Sequence, residues 1–167
     1  MAVRVGRFER VSKQQFIEGC NKFNICPEAA VVLYDNITLP TRATKGSAGY
    51  DFTIPYVAEL YPGQTVAFPT GIRCCIDEDW MLMIVPRSGL GCKFKLQLDN
   101  TVGIIDSDYY YAPNEGHMFI QITNHSDKYL KLNRGDRVAQ GIFLPYGITI
   151  DDNVTTIRTG GHGSTGN

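Results

Sequence analysis

The sequence lacks any apolar run approaching the roughly 20 residues that a bilayer-spanning helix needs, which excludes such a helix. It also lacks a charge imbalance. Sixteen Lys and Arg stand against 17 Asp and Glu, for a formal net charge of -1. That balance carries no footprint of a nucleic-acid or membrane-surface protein. An anionic ligand would have to be held by local basic groups and backbone amides. Histidine is scarce, and His117, His125 and His162 are scattered. The five cysteines (Cys20, Cys26, Cys74, Cys75 and Cys92) form no CxxC pair, so no zinc framework is expected. No charged-then-apolar leader precedes them, and reduced thiols in a cytoplasmic protein are the expectation. Internal repeats and low-complexity linkers are absent too. What remains is a 167-residue chain, suited to one domain and long enough to bury a core without staples.

Three textures follow one another. The first predicts one short N-terminal helix over about 12–23. Ser12 is placed to cap it, Gln15 sits at the capping-box position, and Val11 and Phe16 occupy the two ends of a hydrophobic staple. Phe16, Cys20 and Phe23 then share a face, and Pro27 stops the helix. The middle reads as short strands: VVLYDNI from Val31, TVAFPTGI from Thr65, MLMIV from Met81, HMFIQIT, KYLKL and RVAQGIFLPY. MLMIV is apolar throughout and suits burial on both faces. HMFIQIT alternates, with Met118, Ile120 and Ile122 opposing Phe119, Gln121 and Thr123. Turn signals at Pro62, Thr70 and Arg134 separate the runs. Short, closely spaced strands with one minor helix predict an all-β sandwich, jelly roll or barrel over 1–157. The glycine-rich stretch 158–167, RTGGHGSTGN, reads as a flexible arm.

Several constellations can carry chemistry. In PRSGLG (from Pro86), Arg87 offers a planar fork of donors for phosphate oxygens, Ser88 a hydroxyl, and Gly89 close backbone approach. Alone, the hexapeptide serves equally as a plain turn with a surface arginine. In NTVGIIDSDYY (from Asn100), Asp106 and Asp108 would share a face on a strand, and a carboxylate there can act as a general base on water. A hairpin carrying a surface Asp pair explains the same residues. Gln140 falls in an apolar row with Val138 and Ile142, so its amide needs a partner, either a ligand or a neighbouring backbone group. The triplet at Arg134 reads as a β-turn. The arm lacks the lysine and the strand–helix context of a P-loop.

Together and in this order the motifs resemble those of the trimeric dUTP pyrophosphatase family: AGYD at Ala48, PRSGLG at Pro86, NTVGIIDSDY at Asn100, RGDRVAQGIF at Arg134 and RTGGHGSTG at Arg158. The match runs from Ile37 to Asn167. The resemblance implies a jelly-roll-like distorted β-barrel and a homotrimer with active sites at subunit interfaces. The implied reaction is dUTP plus water giving dUMP and pyrophosphate, with Mg2+, which limits uracil in DNA and supplies dUMP for dTTP synthesis. By the same resemblance Asp106 is the base that activates the attacking water. Asn100 bonds the uracil, with the backbone of a hairpin that includes Gly103 and Ile105. Tyr109 packs against deoxyribose. Arg87, Ser88, Gly89 and Gln140 hold phosphates, Asp51 holds the magnesium through water, and Arg158, His162, Gly163 and Ser164 act from the arm.

This chain departs from the family pattern in places. His162 stands where a phenylalanine is usual, and the arm is one residue shorter between Arg158 and His162. The segment 110–117 is longer than the usual turn and reads as a loop in which Glu115 and His117 are solvated. The N-terminal helix is extra to the family core and is expected to pack on its own subunit. A dCTP deaminase of the same fold is the nearest rival. It needs a glutamate where this chain has Gln121, which cannot shuttle a proton. A nucleotide-sensing regulator on the same scaffold and a plain β-sandwich interaction module are the rivals from other classes.

Overall fold

The computed structural model describes residues 3–160. β1 (Gly6–Arg10) leads into α1 (Lys13–Asn21) and α2 (Pro27–Asp35). Short strands follow: β2 (Thr41–Arg42), β3 (Tyr50–Thr53), β4 (Ala58–Leu60), β5 (Thr65–Pro69), β6 (Ile72–Ile76) and β7 (Trp80–Pro86). After α3 (Ser88–Phe94) come β8 (Leu96–Leu98), β9 (Gly103–Ile105) and a 3-10 helix over Ser107–Tyr111. β10 (Phe119–Asn124), β11 (Leu130–Leu132) and β12 (Arg137–Pro145) complete the fold. Among the described residues no helix is long and apolar enough to cross a membrane.

All the pairings are antiparallel. They form a five-stranded sheet in the order β2-β3-β12-β7-β9, a three-stranded sheet β5-β10-β8, and the pairs β1-β6 and β4-β11. The sheets wrap one continuous core, in which Phe16, Phe52, Phe68, Leu82, Ile122 and Val138 are buried. Among the described residues the strands do not close into a single barrel. The all-β, family-like architecture expected from the sequence is present, but with more helix.

Ser12 caps α1 as expected, its hydroxyl accepting from Gln15 N at 3.1 Å. Val11 and Phe16, the staple pair, are both buried. The return half of the capping box comes from elsewhere: the Glu115 carboxylate accepts from Ser12 N at 2.7 Å and from Ser12 Oγ at 2.6 Å. Two expectations fail here. Pro27 opens a second helix, at a position where its missing N–H costs nothing, with Glu28 in the first turn. The run from Val31 is therefore helical and not a strand. Its Tyr34 hydroxyl donates to Val11 O at 2.8 Å, and the Tyr34 ring lies 5.7 Å from Phe16. Packing against α1 overrides the β-preference of paired valines.

β7 alternates more than its composition suggests. Leu82 and Ile84 are buried, while Met81, Met83 and Val85 are half-buried. PRSGLG is a helix start, because Ser88 opens α3. The segment after Ile105 is not a strand: Asp106 precedes the 3-10 helix, so strand alternation does not relate it to Asp108. The segment 110–117 is not a solvated loop either. His117 is fully buried and accepts through Nε2 from Gly71 N at 2.9 Å.

Candidate active site

The phosphate-side residues gather where β3, β12 and the start of α3 meet. Asp51 on β3 lies directly across from Gln140 on β12. The β12 ladder shifts register between Arg137 and Ala139, so Val138 is an extra, bulged residue. In a regular strand Arg137 and Gln140 would face opposite ways; one extra residue brings them to the same face. The bulge also takes buried Val138 out of Gln140's row, so the expected row of Val138, Gln140 and Ile142 is broken. Arg137 Nη1 consequently reaches Asp51 Oδ2 at 3.2 Å, and Arg87 Nη1 reaches Asp51 Oδ1 at 2.5 Å. The Asp51 side chain is only 10% exposed. Gly49, in AGYD, seats the neighbouring amide, because any Cβ there would collide with the Gln140 side chain.

Beside this cluster lies an open cavity of about 520 Å3, bordered by Arg87, Gly89, Lys93, Lys131 and Arg137 with Asp136. Such a concentration of cations in a chain of balanced charge is the local device an anionic ligand requires. Arg137 and Lys93 were missed from sequence. Arg137 opens what reads as a strand, and its approach to Asp51 depends on a cross-strand register that one strand's sequence does not encode.

Among the described residues no cluster of His, Cys, Asp or Glu could by itself hold a metal ion. Asp51 offers hard oxygens, but both accept from arginines. A single such carboxylate beside a cationic cavity fits a magnesium ion held through waters and by a ligand's phosphates, not by a protein cage.

The second group lies around β9. β8 and β9 do not pair with each other: β8 joins β10 and β9 joins β7, so the expected hairpin is a chain reversal between two sheets. Thr101 N donates to Leu98 O at 2.8 Å and Val102 N to Asn100 O at 2.7 Å, closing the turn. A slot of about 520 Å3 opens between the diverging strands, with Asn100, Gly103, Ile104 and Ile105 on one side and Ile84, Leu98 and Ile120 beneath. A side chain on Gly103 would press on Ile84 and come within 3.8 Å of Asn100 Nδ2.

Asp106 and Asp108 lie just beyond the slot, and Arg158 brings them together. Its Nη2 donates to Asp106 Oδ2 and its Nε to Asp108 Oδ1, both at 2.8 Å. Its guanidinium also lies 5.7 Å from the centre of the Tyr109 ring. Tyr109 is buried, its hydroxyl donating to His117 O and accepting from Asn114 Nδ2, both at 2.8 Å. Burial pushes that phenol above its ordinary pKa despite the Asn114 hydrogen bond and the Arg158 charge. His162, Gly163 and Ser164 lie outside the described residues.

The two groups stand apart. Ile105 pairs with Leu82, so Asp106 is level with Met81, whereas Arg87 follows Pro86 at the other end of β7. Six residues of strand separate them by about 20 Å within the chain.

Comparison with known proteins gives a consistent result. A family model described as dUTPase matches residues 35–166. The deoxyuridine 5'-triphosphate nucleotidohydrolase of Lactococcus lactis subsp. lactis (strain IL1403) is 40% identical over 141 residues, covering 81% of this chain and 94% of that protein. The enzyme of the same name from Haemophilus ducreyi is 43% identical over 136 residues, covering 77% and 86%. The crystal structure of dUTPase from Streptococcus mutans superposes with a TM-score of 0.62 at 32% identity, covering 85% of this chain and 97% of that one. A mutant dUTPase from phage phi11 of S. aureus, described as revealing the coordination of a structural Mg(II) ion, gives a TM-score of 0.63 at 19% identity, covering 92% and 98%.

Proposed function

The chain belongs to the dUTPase family, and on that premise we propose that this dUTP diphosphatase hydrolyses dUTP to dUMP and pyrophosphate at sites shared between copies of itself. The observation that carries the reading is the separation of its two halves. The slot and Asp106 lie at one end of β7, and the Arg87–Asp51–Gln140 cluster lies at the other. A triphosphate cannot bridge them within a subunit. Facing the slot of one copy towards the cationic cavity of another unites base and phosphates, which supports a homo-oligomer, a homotrimer by the family resemblance.

In this reading uracil enters the slot. Asn100 and the backbone over Gly103 to Ile105 meet its polar edge, and the lack of a side chain at Gly103 provides the clearance. A cytosine edge would leave buried donors and acceptors unpaired, a costly mismatch. The Tyr109 ring packs on deoxyribose, with its hydroxyl already tied down. Asp106 takes a proton from a water. The water oxygen bonds to the α-phosphorus, and pyrophosphate leaves with the bridging oxygen. Arg87, Ser88, the amide of Gly89 and Gln140 neutralise and orient the phosphates, where positioning and charge supply most of the catalysis. Arg158, His162, Gly163 and Ser164 act from the arm. Asp51 would hold a magnesium ion through the ion's waters, and the ion would supply Lewis-acid neutralisation of the phosphate charge.

The deciding test is a pyrophosphate-release assay on dUTP, dTTP, dCTP and UTP with magnesium. Release from dUTP at a rate far above the other three is expected. Ammonia release from dCTP, or equal rates on all four, would reject the reading.

A further inference from the structure

β8 pairs with β10 only from Ile122 to Asn124. Its last link is Asp99 N to Gln121 O at 3.1 Å. Beyond it the chain turns away into the other sheet, and the slot opens alongside the stretch of β10 from Phe119 to Gln121. The far rim of the slot is built in part by the N-terminal region, because Phe23 lines the same cavity as Asn100 and Gly103.

Phe23 is placed there deliberately by local structure. It follows α1 in a closing turn, with Phe23 N donating to Cys20 O at 2.9 Å and Ile25 N to Cys20 O at 3.2 Å. Asn24 takes the left-handed conformation, φ 57°, that such a helix end requires. The Phe23 ring lies 5.8 Å from Phe119, whose other neighbours are the buried His117 ring at 4.4 Å and Lys22 Nζ at 5.2 Å. Phe23 therefore ends a row of ring contacts rooted in the core, yet it is itself only half-buried.

A flat heterocycle needs a face as well as an edge. Asn100 and the β9 backbone supply polar groups for the edge. Among the three phenylalanines on the slot, Phe52 is buried in the core and Phe119 is packed among His117, Lys22 and Phe23. We infer that Phe23 is a base-binding residue, lending its ring face to the pyrimidine of the bound nucleotide. This rests on the slot being the base site. It assigns the turn that closes α1, which lies outside the matched residues 35–166, a direct part in substrate binding.

The experiment titrates the full-length protein with dUMP and, separately, with inorganic triphosphate. Phe23→Ala should weaken dUMP binding about tenfold, the scale of one base–aromatic stack, and leave triphosphate binding unchanged. Phe23→Trp, made in a Trp80→Phe background so that it carries the sole indole, should keep dUMP affinity, and its emission should change saturably with dUMP. Asn100→Ala serves as the control for the slot itself. If Asn100→Ala loses dUMP and Phe23→Ala does not, the inference is overturned and the base site stands. If neither variant alters dUMP binding, both fall. Should Phe23→Ala fail to fold, the Phe23→Trp emission decides alone, and a flat response overturns the inference.

Discussion

The Arg158 guanidinium donates to the Asp106 carboxylate at 2.8 Å, from Nη2 to Oδ2. Its Nε holds Asp108 at the same distance. In the proposed mechanism Asp106 takes a proton from water, while Arg158 turns from this carboxylate to the substrate phosphates. The two aspartates are then unequal. Asp106→Asn should lower kcat by about 10^2- to 10^4-fold, the range of a lost general base, while dUTP still binds. Asp108→Asn removes only a half-exposed ion-pair partner and should keep kcat within about threefold. Steady-state pyrophosphate release and equilibrium dUTP binding check both. Similar losses for the two variants would remove Asp106 from its special role.

The separation of Asp106 from Arg87 along β7 makes a sharper demand. If each site takes Asp106 from one copy and Arg87 from another, two defective chains can complement. Asp106→Asn and Arg87→Ala chains, each nearly inactive alone, should regain part of the wild-type turnover after being unfolded together and refolded as a mixture. Absence of recovery, with mixed oligomers demonstrated by mass, would place both residues in one subunit's site.

Asp51 is clasped by Arg87 and Arg137. Arg137 therefore positions Arg87 through the shared carboxylate. Arg137→Ala should lower kcat/KM for dUTP roughly tenfold, mainly through KM, since a charge-assisted contact of about 1.5–3 kcal/mol is partly redundant with Arg87. The thermal midpoint should move little, because Arg137 is exposed. An unchanged kcat/KM would show that Arg87 needs no such support.

The features that read correctly from sequence are those set by local chemistry. Ser12 caps α1 because its hydroxyl suits an N-terminus in any context, and Met118, Ile120 and Ile122 are buried because alternation is intrinsic to a strand. The failures share a different cause. Val31 and Val32 read as strand, but Pro27, Glu28 and the packing of Tyr34 on α1 decide for helix. Arg137 meets Asp51 only because Val138 bulges against β3, a relation between strands about 85 residues apart in the chain. His117 reads as a loop residue because it ends the polar, turn-forming stretch Pro113 to Gly116, yet Gly71 and Tyr109 fix it inside the fold.

Glu115 joins the long segment 110–117 to the N-terminal helix. Burial alone would push its carboxyl up, but donation from the Ser12 hydroxyl and amide outweighs this and holds it below the ordinary range. Glu115→Ala should destabilise the fold by about 1–2 kcal/mol, a few degrees in Tm for a chain of this size. Ser12→Ala should cost about 1 kcal/mol. The double variant should lose less than the sum, because both remove one shared contact. Strict additivity in thermal melts would mean that the two residues act independently.

His117 gives the fold a pH dependence whose sign can be worked out. Gly71 N donates to Nε2, so that nitrogen carries the lone pair and the ring is neutral in the folded state. Burial pushes its pKa down from 6.5 to about 4, Lys22 adds to the fall, and Glu115 opposes it. The unfolded chain therefore binds a proton between about pH 6.5 and pH 4 that the folded chain does not, and stability rises with pH across that window. The contribution is complete above pH 6.5 and lost as pH falls towards 4, a loss of about 3 kcal/mol at most. His117→Gln retains an acceptor for Gly71 N but cannot titrate. Denaturant unfolding measured from pH 4 to pH 7 should show a shallower slope for His117→Gln than for wild type. The two curves should converge towards low pH, where wild type has lost the contribution. Glu115 titrates below its ordinary range and bears mainly on the acid end of the curves. Parallel slopes for the two proteins across the window would mean that His117 is protonated within the fold without penalty, which its contact with Gly71 N forbids.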